Sequence, residues 1–252
     1  LYDERLARVH AAEFAIDPQA AHGGAIAQEM VRWLALWMAF DDIVRVAALK
    51  LAAGRQARVR RETGARDDEV VKVFDHFKPG AAEFAALLPA GLANRLLAWD
   101  RRRVAAGREP WALPLKVGTH TVTGTLALRA LAALKAWRPF GSRWAVEQGL
   151  IERWLAAVER GTREDWSLGH QLAQCGRLIK GYGSTNERGK ENLLHIVAHL
   201  ASAEAVRAAR EAALADDAGR ALDQTLSAHG APARPLRAQP IRWYRRKPQS
   251  AT

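Results

Sequence analysis

The residues best placed to do chemistry lie between Lys180 and Asn192. Lys180-Gly181-Tyr182-Gly183 is followed by Thr185, the Arg188-Gly189 step and Asn192, all within one helix and its approach. A cation, a tight glycine turn and a helix start together suit an anion or a partner surface, because the first amides of a helix have no partner inside it. The same pattern also fits a plain helix-turn-helix corner in which Gly181 and Gly183 only supply positive φ. Ser184 or Thr185 is positioned to cap the second helix, with Glu187 or Arg188 in its first turn.

Other constellations carry less. His195 and His199 stand at i and i+4, the separation that lets two imidazoles meet one ion, but no glutamate follows His195 as a metalloprotease helix requires. Cys175 and His170 are five apart and would sit on diverging helix faces. Apolar neighbours such as Leu172, Leu178 and Ile179 point to an inert, buried Cys175. Neither a Gly-x-Ser-x-Gly elbow nor a phosphate-binding Walker loop occurs, and Gly181-Tyr182-Gly183 lacks the strand and third glycine of a dinucleotide loop. Asp41 and Asp42 interrupt an apolar helix pattern and need partners if buried; Arg45, at i+4 and i+3 from them, makes a candidate polar network with both.

The elements that must hold these groups read as helices. Alanine and leucine dominate, β-branched runs are rare and apolar residues recur at three and four, which predicts a mainly α, multi-helix globular domain. Ile26 to Leu51 reads as a central core helix carrying Met30, Trp33, Leu34, Trp37, Met38 and Val44. Further helices are expected near 81–88, 90–106, 122–137, 144–160, 164–180, 185–201 and 203–229. Alternation predicts one short extended segment near 69–78, and the proline- and glycine-containing stretch from Arg108 to Thr125 reads as an irregular surface connection. The helical domain is expected to span 1–230. Residues 231–252 read as an extended basic arm that docks through Trp243 and Tyr244.

Length and composition bound the rest. At 252 residues the chain can bury roughly three-quarters of its unfolded surface without metal or disulfide staples. Its single cysteine, Cys175, excludes an internal disulfide and any four-cysteine zinc or iron–sulfur site, and is the usage expected of the cytoplasm. The longest apolar stretch holds Arg32, Asp41, Asp42, Arg45 and Lys50, too many charges for a membrane span. The net charge of +11 favours an acidic partner, with nucleic acid as one candidate, although arginines that merely solvate helices would give the same balance. Leu1 to Arg5 already reads as the middle of a helical pattern, as expected of a piece of a longer polypeptide.

Residues Trp33 to Ala47, Arg58 to Glu62, and Lys180 to Gly183 with Thr185, Arg188-Gly189 and Asn192 resemble the C-terminal region of the beta subunit of indolepyruvate ferredoxin oxidoreductase-like proteins. Pro240-Ile241-Arg242-Trp243 is similar to the end of that region. The resemblance implies an enzyme that oxidatively decarboxylates arylpyruvates with coenzyme A and passes electrons to ferredoxin. It places thiamine diphosphate and the iron–sulfur clusters in a larger partner subunit, and a catalytic oxidoreductase domain ahead of this region. It therefore implies a non-catalytic accessory domain, with no metal of its own, whose Lys180, Tyr182 and Arg188 meet a neighbouring domain or an anionic group such as a coenzyme A phosphate. The alternative is a basic helical nucleic-acid binder.

Overall fold

A computed structural model describes residues 1–235 apart from Asp41, Asp67 and Tyr182. The candidate residues Asp41 and Tyr182, and the arm from 236 onward with Trp243 and Tyr244, lie outside the described residues. Among those described there are twelve α-helices and one two-stranded sheet, so the mainly α class holds. In order these are α1 Tyr2–Ile16, α2 Ala25–Met38, α3 Ile43–Lys50, α4 Gly54–Thr63, β1 Phe74–Phe77, α5 Ala81–Leu87, α6 Ala90–Ala105, β2 Leu115–Gly118, α7 Val122–Ala133, α8 Ser142–Glu164, α9 Trp166–Gln174, α10 Ser184–His199, α11 Ala203–Ala215 and α12 Arg220–Ala228. Short 3₁₀ turns cover Leu134–Phe140 and Cys175–Leu178.

The core is built around α8, which packs on α1, α9 and α10. Ile151, Trp154, Leu155 and Val158 form its buried stripe, and Leu193, Ile196 and Val197 form that of α10. α2 closes one side with Ile26, Met30, Leu34 and Trp37. Its first turn is held by Glu13 of α1, whose carboxylate accepts from the backbone N–H groups of Ile26 and Ala27 at 3.0 and 2.9 Å. A buried acid thus satisfies two of the orphan donors that every helix start presents.

The single helix expected from Ile26 to Leu51 is two helices. Phe40 adopts φ +60°, a left-handed conformation costly for an aromatic residue, and Asp42 then caps α3 by accepting from the Arg45 N–H at 2.7 Å. Hydrophobic periodicity continues across the break, so the pattern alone could not reveal it.

Residues 43–140 form a layer of their own. α3 packs on α7, α5 on α6, and β1 pairs antiparallel with β2 in the register Phe74–Gly118 to Phe77–Leu115. β1 falls inside the extended segment expected at 69–78. β2 falls in the stretch expected to be irregular, because Leu115 to Gly118 is too short to show alternation. This layer reaches the core mainly through α5 and the Leu134–Phe140 turn, both against α8. Its own buried side chains are few and mostly small, among them Val44, Ala47, Ala81, Ala85, Ala93 and Leu128.

Candidate functional site

The Lys180–Asn192 corner joins the Cys175–Leu178 turn to α10. Gly181 and Gly183 have φ +71° and +58°, so both glycines are required by the backbone. Gly183 is the N-cap residue of α10, and neither Ser184 nor Thr185 supplies a side-chain cap. Gly189 lets α10 press onto the preceding turn: a Cβ there would stand 2.0 Å from the Leu178 carbonyl oxygen. Gly189→Ala is therefore expected to destabilise by about 1–3 kcal/mol through forced separation of α10 and the turn, measured as a lowered urea midpoint with an unchanged slope.

Other members of the set also carry structural work. Asn192 is buried, and its Oδ1 accepts from Arg234 Nη1 at 2.7 Å, while Arg234 also donates to both carboxylate oxygens of Asp223 at 2.7 and 2.9 Å. The first residues of the arm are thereby latched onto α10 and α12. His195 joins the same latch through Nε2, 2.8 Å from the Pro232 carbonyl, which supplies the role that its spacing from His199 left open. Lys180 makes an exposed ion pair with Asp217 at 3.4 Å, a contact worth little in water. Thr185, Arg188, Gly189 and Asn192 line a small crevice with Asp216 and Asp217, whereas Gly181 faces a different cavity that Lys180 also borders.

That second cavity sits above a buried polar cluster. Glu147 of α8 accepts from Lys190 Nζ at 2.8 and 2.9 Å, from Trp37 Nε1 at 2.7 Å and from Arg143 Nε at 3.0 Å. Burial pushes the Glu147 carboxyl upward. The Lys190 charge, hydrogen bonds from Lys190 and Trp37, and the Arg143 charge outweigh that and hold it below the usual carboxylate range. Lys190 also stands 5.7 Å from the centre of the Trp37 ring. The cavity, about 140 Å³, is bordered by Trp37, Phe40, Arg45, Lys180, Asn186 and Lys190.

The Asp42 network differs in composition from the expected one. Its buried carboxylate binds Arg138 in a two-pronged contact, Nε to Oδ2 at 2.8 Å and Nη2 to Oδ1 at 2.6 Å. Arg45 gives Asp42 only its backbone N–H, and its guanidinium makes no hydrogen bond or ion pair with any described residue. The reason is geometric: as N-cap, Asp42 turns toward the helix amides, and its far side meets the Leu134–Phe140 turn.

Cys175 is fully buried and burial pushes its thiol up to about 12, so the nucleophilic thiolate is suppressed at neutral pH. Among the described residues no group of three or more His, Cys, Asp or Glu side chains is arranged to hold a metal ion. No described helix is long and apolar enough to cross a membrane.

Residues 1–199 match the model of DUF6537, a family of unknown function. The chain belongs to that family. The match ends with α10, yet Ala205, Val206, Ala209, Leu222 and Leu226 of α11 and α12 complete the same hydrophobic core, so the folded unit continues past the family boundary. No curated protein matches the chain, and no solved structure does either.

Sequence reasoning missed Glu147, Lys190, Arg138 and Asn186. A signal existed for the first two. Glu147 precedes Ile151 by four and Trp154 by seven, and Lys190 precedes Leu193 by three and Val197 by seven, so each charge stands in the apolar stripe of its helix. Opposite charges in two facing stripes predict a buried pair.

Proposed function

We propose that the chain is a non-catalytic accessory domain of a larger 2-oxoacid:ferredoxin oxidoreductase of the indolepyruvate type, and that α7 is the face by which it packs on the rest of that enzyme. The observation that carries the docking reading is a set of large exposed apolar side chains on the thinly packed layer. Val122, Leu126, Trp137 and Phe140 are 76, 56, 55 and 64% exposed. Val122 and Leu126 are one helical turn apart on α7, and the Trp137 and Phe140 rings lie 5.3 Å from each other just beyond its end. Two exposed apolar pairs, one at the start of α7 and one just past its end, support a contact surface there.

The resemblance of residues 33–47, 58–62 and 180–192 supplies the partner's identity. In this reading thiamine diphosphate, the iron–sulfur clusters and the coenzyme A chemistry belong to the partner subunit and the catalytic domain. The residues here do not fit a cluster, which needs four thiolates where the chain has one cysteine, itself buried. Lys180 and Arg188 line a separate crevice with Asp217, and the resemblance supports a second, polar contact there with a neighbouring domain. The nucleic-acid alternative draws on three arginine groups, at 55–66, at 95–108 and in the tail from 234. In the first group Arg55 pairs with Asp75, Arg58 with Glu62 and Arg60 with the Arg66 carbonyl, which weakens that group as a phosphate track.

The test is to purify the native polypeptide that carries this segment and measure its mass, bound thiamine diphosphate, iron, and coenzyme A-dependent reduction of ferredoxin by arylpyruvates. A longer polypeptide or complex with all of these is expected, and Leu126→Glu with Trp137→Glu should weaken the association while the isolated chain keeps its helical circular dichroism. A free chain of this length without cofactors or that activity would overturn the proposal.

A further inference from the structure

We infer that the cavity between α2, α9 and the Cys175–Leu178 turn binds a small organic anion, whose carboxylate or phosphate head is held by Arg32, Arg177 and His170. The inference stands apart from the docking reading, since it concerns other elements and another set of residues.

The cavity, about 550 Å³, has the volume of a small-molecule site and exceeds the one beside Lys180. One wall is a single face of α2, with Gln28, Glu29, Arg32 and Trp33 at helical spacing, and the other carries His170 and Arg177. Gly176 lets the walls approach, because a Cβ there would stand 2.4 Å from Trp33 Cβ.

The setting of His170 distinguishes this cavity from an ordinary surface hollow. Arg210, 5% exposed, donates through Nη1 to Gln171 Oε1 at 2.6 Å and to Gln174 Oε1. A guanidinium has donors only, so Gln174 turns its oxygen to Arg210 and its NH₂ to His170, whose Nε2 lies 3.1 Å away. Nε2 is therefore the accepting nitrogen, and the ring proton sits on Nδ1. Nδ1 has no hydrogen-bond partner among the described residues, which leaves an N–H of fixed position for a ligand. Burial, against the pull of Glu29 and helped by the Arg210 charge, holds His170 below the ordinary histidine value, so the ring is neutral at pH 7. A titratable group shifted in this way within a cavity is a frequent mark of a functional site.

Charge and shape select the ligand. Glu29, the acid in the wall, already accepts from Trp33 Nε1 at 2.6 Å and from Arg177 Nη2. Arg177 spends one of its five N–H groups there and is 42% exposed. Arg32 lies over the Trp33 ring at 4.6 Å and has no ion pair or hydrogen bond among the described residues. With Glu29 balanced by Arg177 and His170 neutral, the lining keeps the positive charge of Arg32 in excess. Two guanidinium forks and a neutral N–H favour an oxyanion over a cation or a neutral molecule. The Trp33 ring and the methylene stems of Gln28 and Arg32 suit an apolar body behind that head.

Benzoate against benzamide, and phenyl phosphate against phenol, titrated calorimetrically into the full chain at matched ionic strength, compare each head group with a neutral counterpart. At least one anion is expected to bind saturably and about ten-fold more tightly than its counterpart; the tighter of the two anions identifies the head as carboxylate or phosphate. Arg32→Ala and His170→Phe should each weaken that anion about ten-fold, and His170→Leu serves if the phenylalanine variant does not fold. Gln174 is a positioning residue, and nitrogen-15 shifts of the His170 ring read its effect: the Nδ1-protonated tautomer in the wild type, a mixture of tautomers and weaker binding in Gln174→Leu. No saturation by either anion up to tens of millimolar, equal affinity for the neutral counterparts, undiminished binding in a folded Arg32 or His170 variant, or an Nε2-protonated His170 in the wild type would each overturn the inference.

Discussion

Glu147→Gln should cost about 3–5 kcal/mol of folding stability, the range found when one member of a buried ion pair is removed. Glu147 and Lys190 are each 7% exposed at the side chain, so the ammonium left behind has little water to turn to. The glutamine is a poor substitute. Trp37 Nε1, Arg143 Nε and Lys190 Nζ are all donors aimed at the two oxygens, and an amide presents its own donor to at least one of them. Against a typical total of about 5–15 kcal/mol, the loss is a large fraction of what holds the domain together. A Glu147→Met, Lys190→Met double variant should recover much of it, since removing both charges leaves no uncompensated ion.

The same residue fixes the acid response. Because the folded-state pKa of Glu147 is depressed, its contribution is fully present above the ordinary carboxylate value of 4.5 and is lost as pH falls from there through the folded value. The wild-type chain should therefore lose stability over that window more steeply than Glu147→Gln. Urea midpoints at neutral and acid pH measure both effects. A neutral-pH loss under about 1 kcal/mol, or parallel acid limbs, would show that the cluster is not the linchpin its geometry describes.

The sequence revealed helical content readily, because 3.6-residue periodicity is a local property that survives without knowledge of packing. The extended segment was also legible, from Val71, Val73 and Phe77 alternating ahead of Pro79-Gly80. What stayed hidden was whatever depends on distant partners. Asp42 and Arg138 are 96 residues apart, and nothing in either neighbourhood announces the other. The break at Phe40 is invisible to periodicity, since Trp37 and Val44 both remain on buried faces. The Lys180–Asn192 corner was recognised, but its members divide on inspection. Gly181, Gly183 and Gly189 answer to backbone geometry, Asn192 answers to the Arg234 latch, and Asn186, whose Oδ1 is buried without a hydrogen-bond partner among the described residues, gave no special sign by type or spacing.

Asp42→Ala is expected to produce a loss of similar size with a different distribution through the molecule. The substitution strands the Arg138 guanidinium, 8% exposed, and removes the cap of α3, changes associated with about 3–5 and about 1 kcal/mol respectively, though not additively. Asp42 is the point where the outer layer is fastened to the break after α2, and Arg138 lies in the turn that packs against α8. The layer from 43 to 140 has a sparse interior of mostly small residues, so little else compensates when that fastening goes. Amide hydrogen exchange should therefore accelerate first in α3, α7 and the Leu134–Phe140 turn, while α8 to α10 keep the protection of the main core. Glu147→Gln, by contrast, should raise exchange in α8 and α10 themselves. If Asp42→Ala accelerated exchange evenly across both regions, the two layers would form one cooperative unit, and the docking layer could not be regarded as separately adjustable.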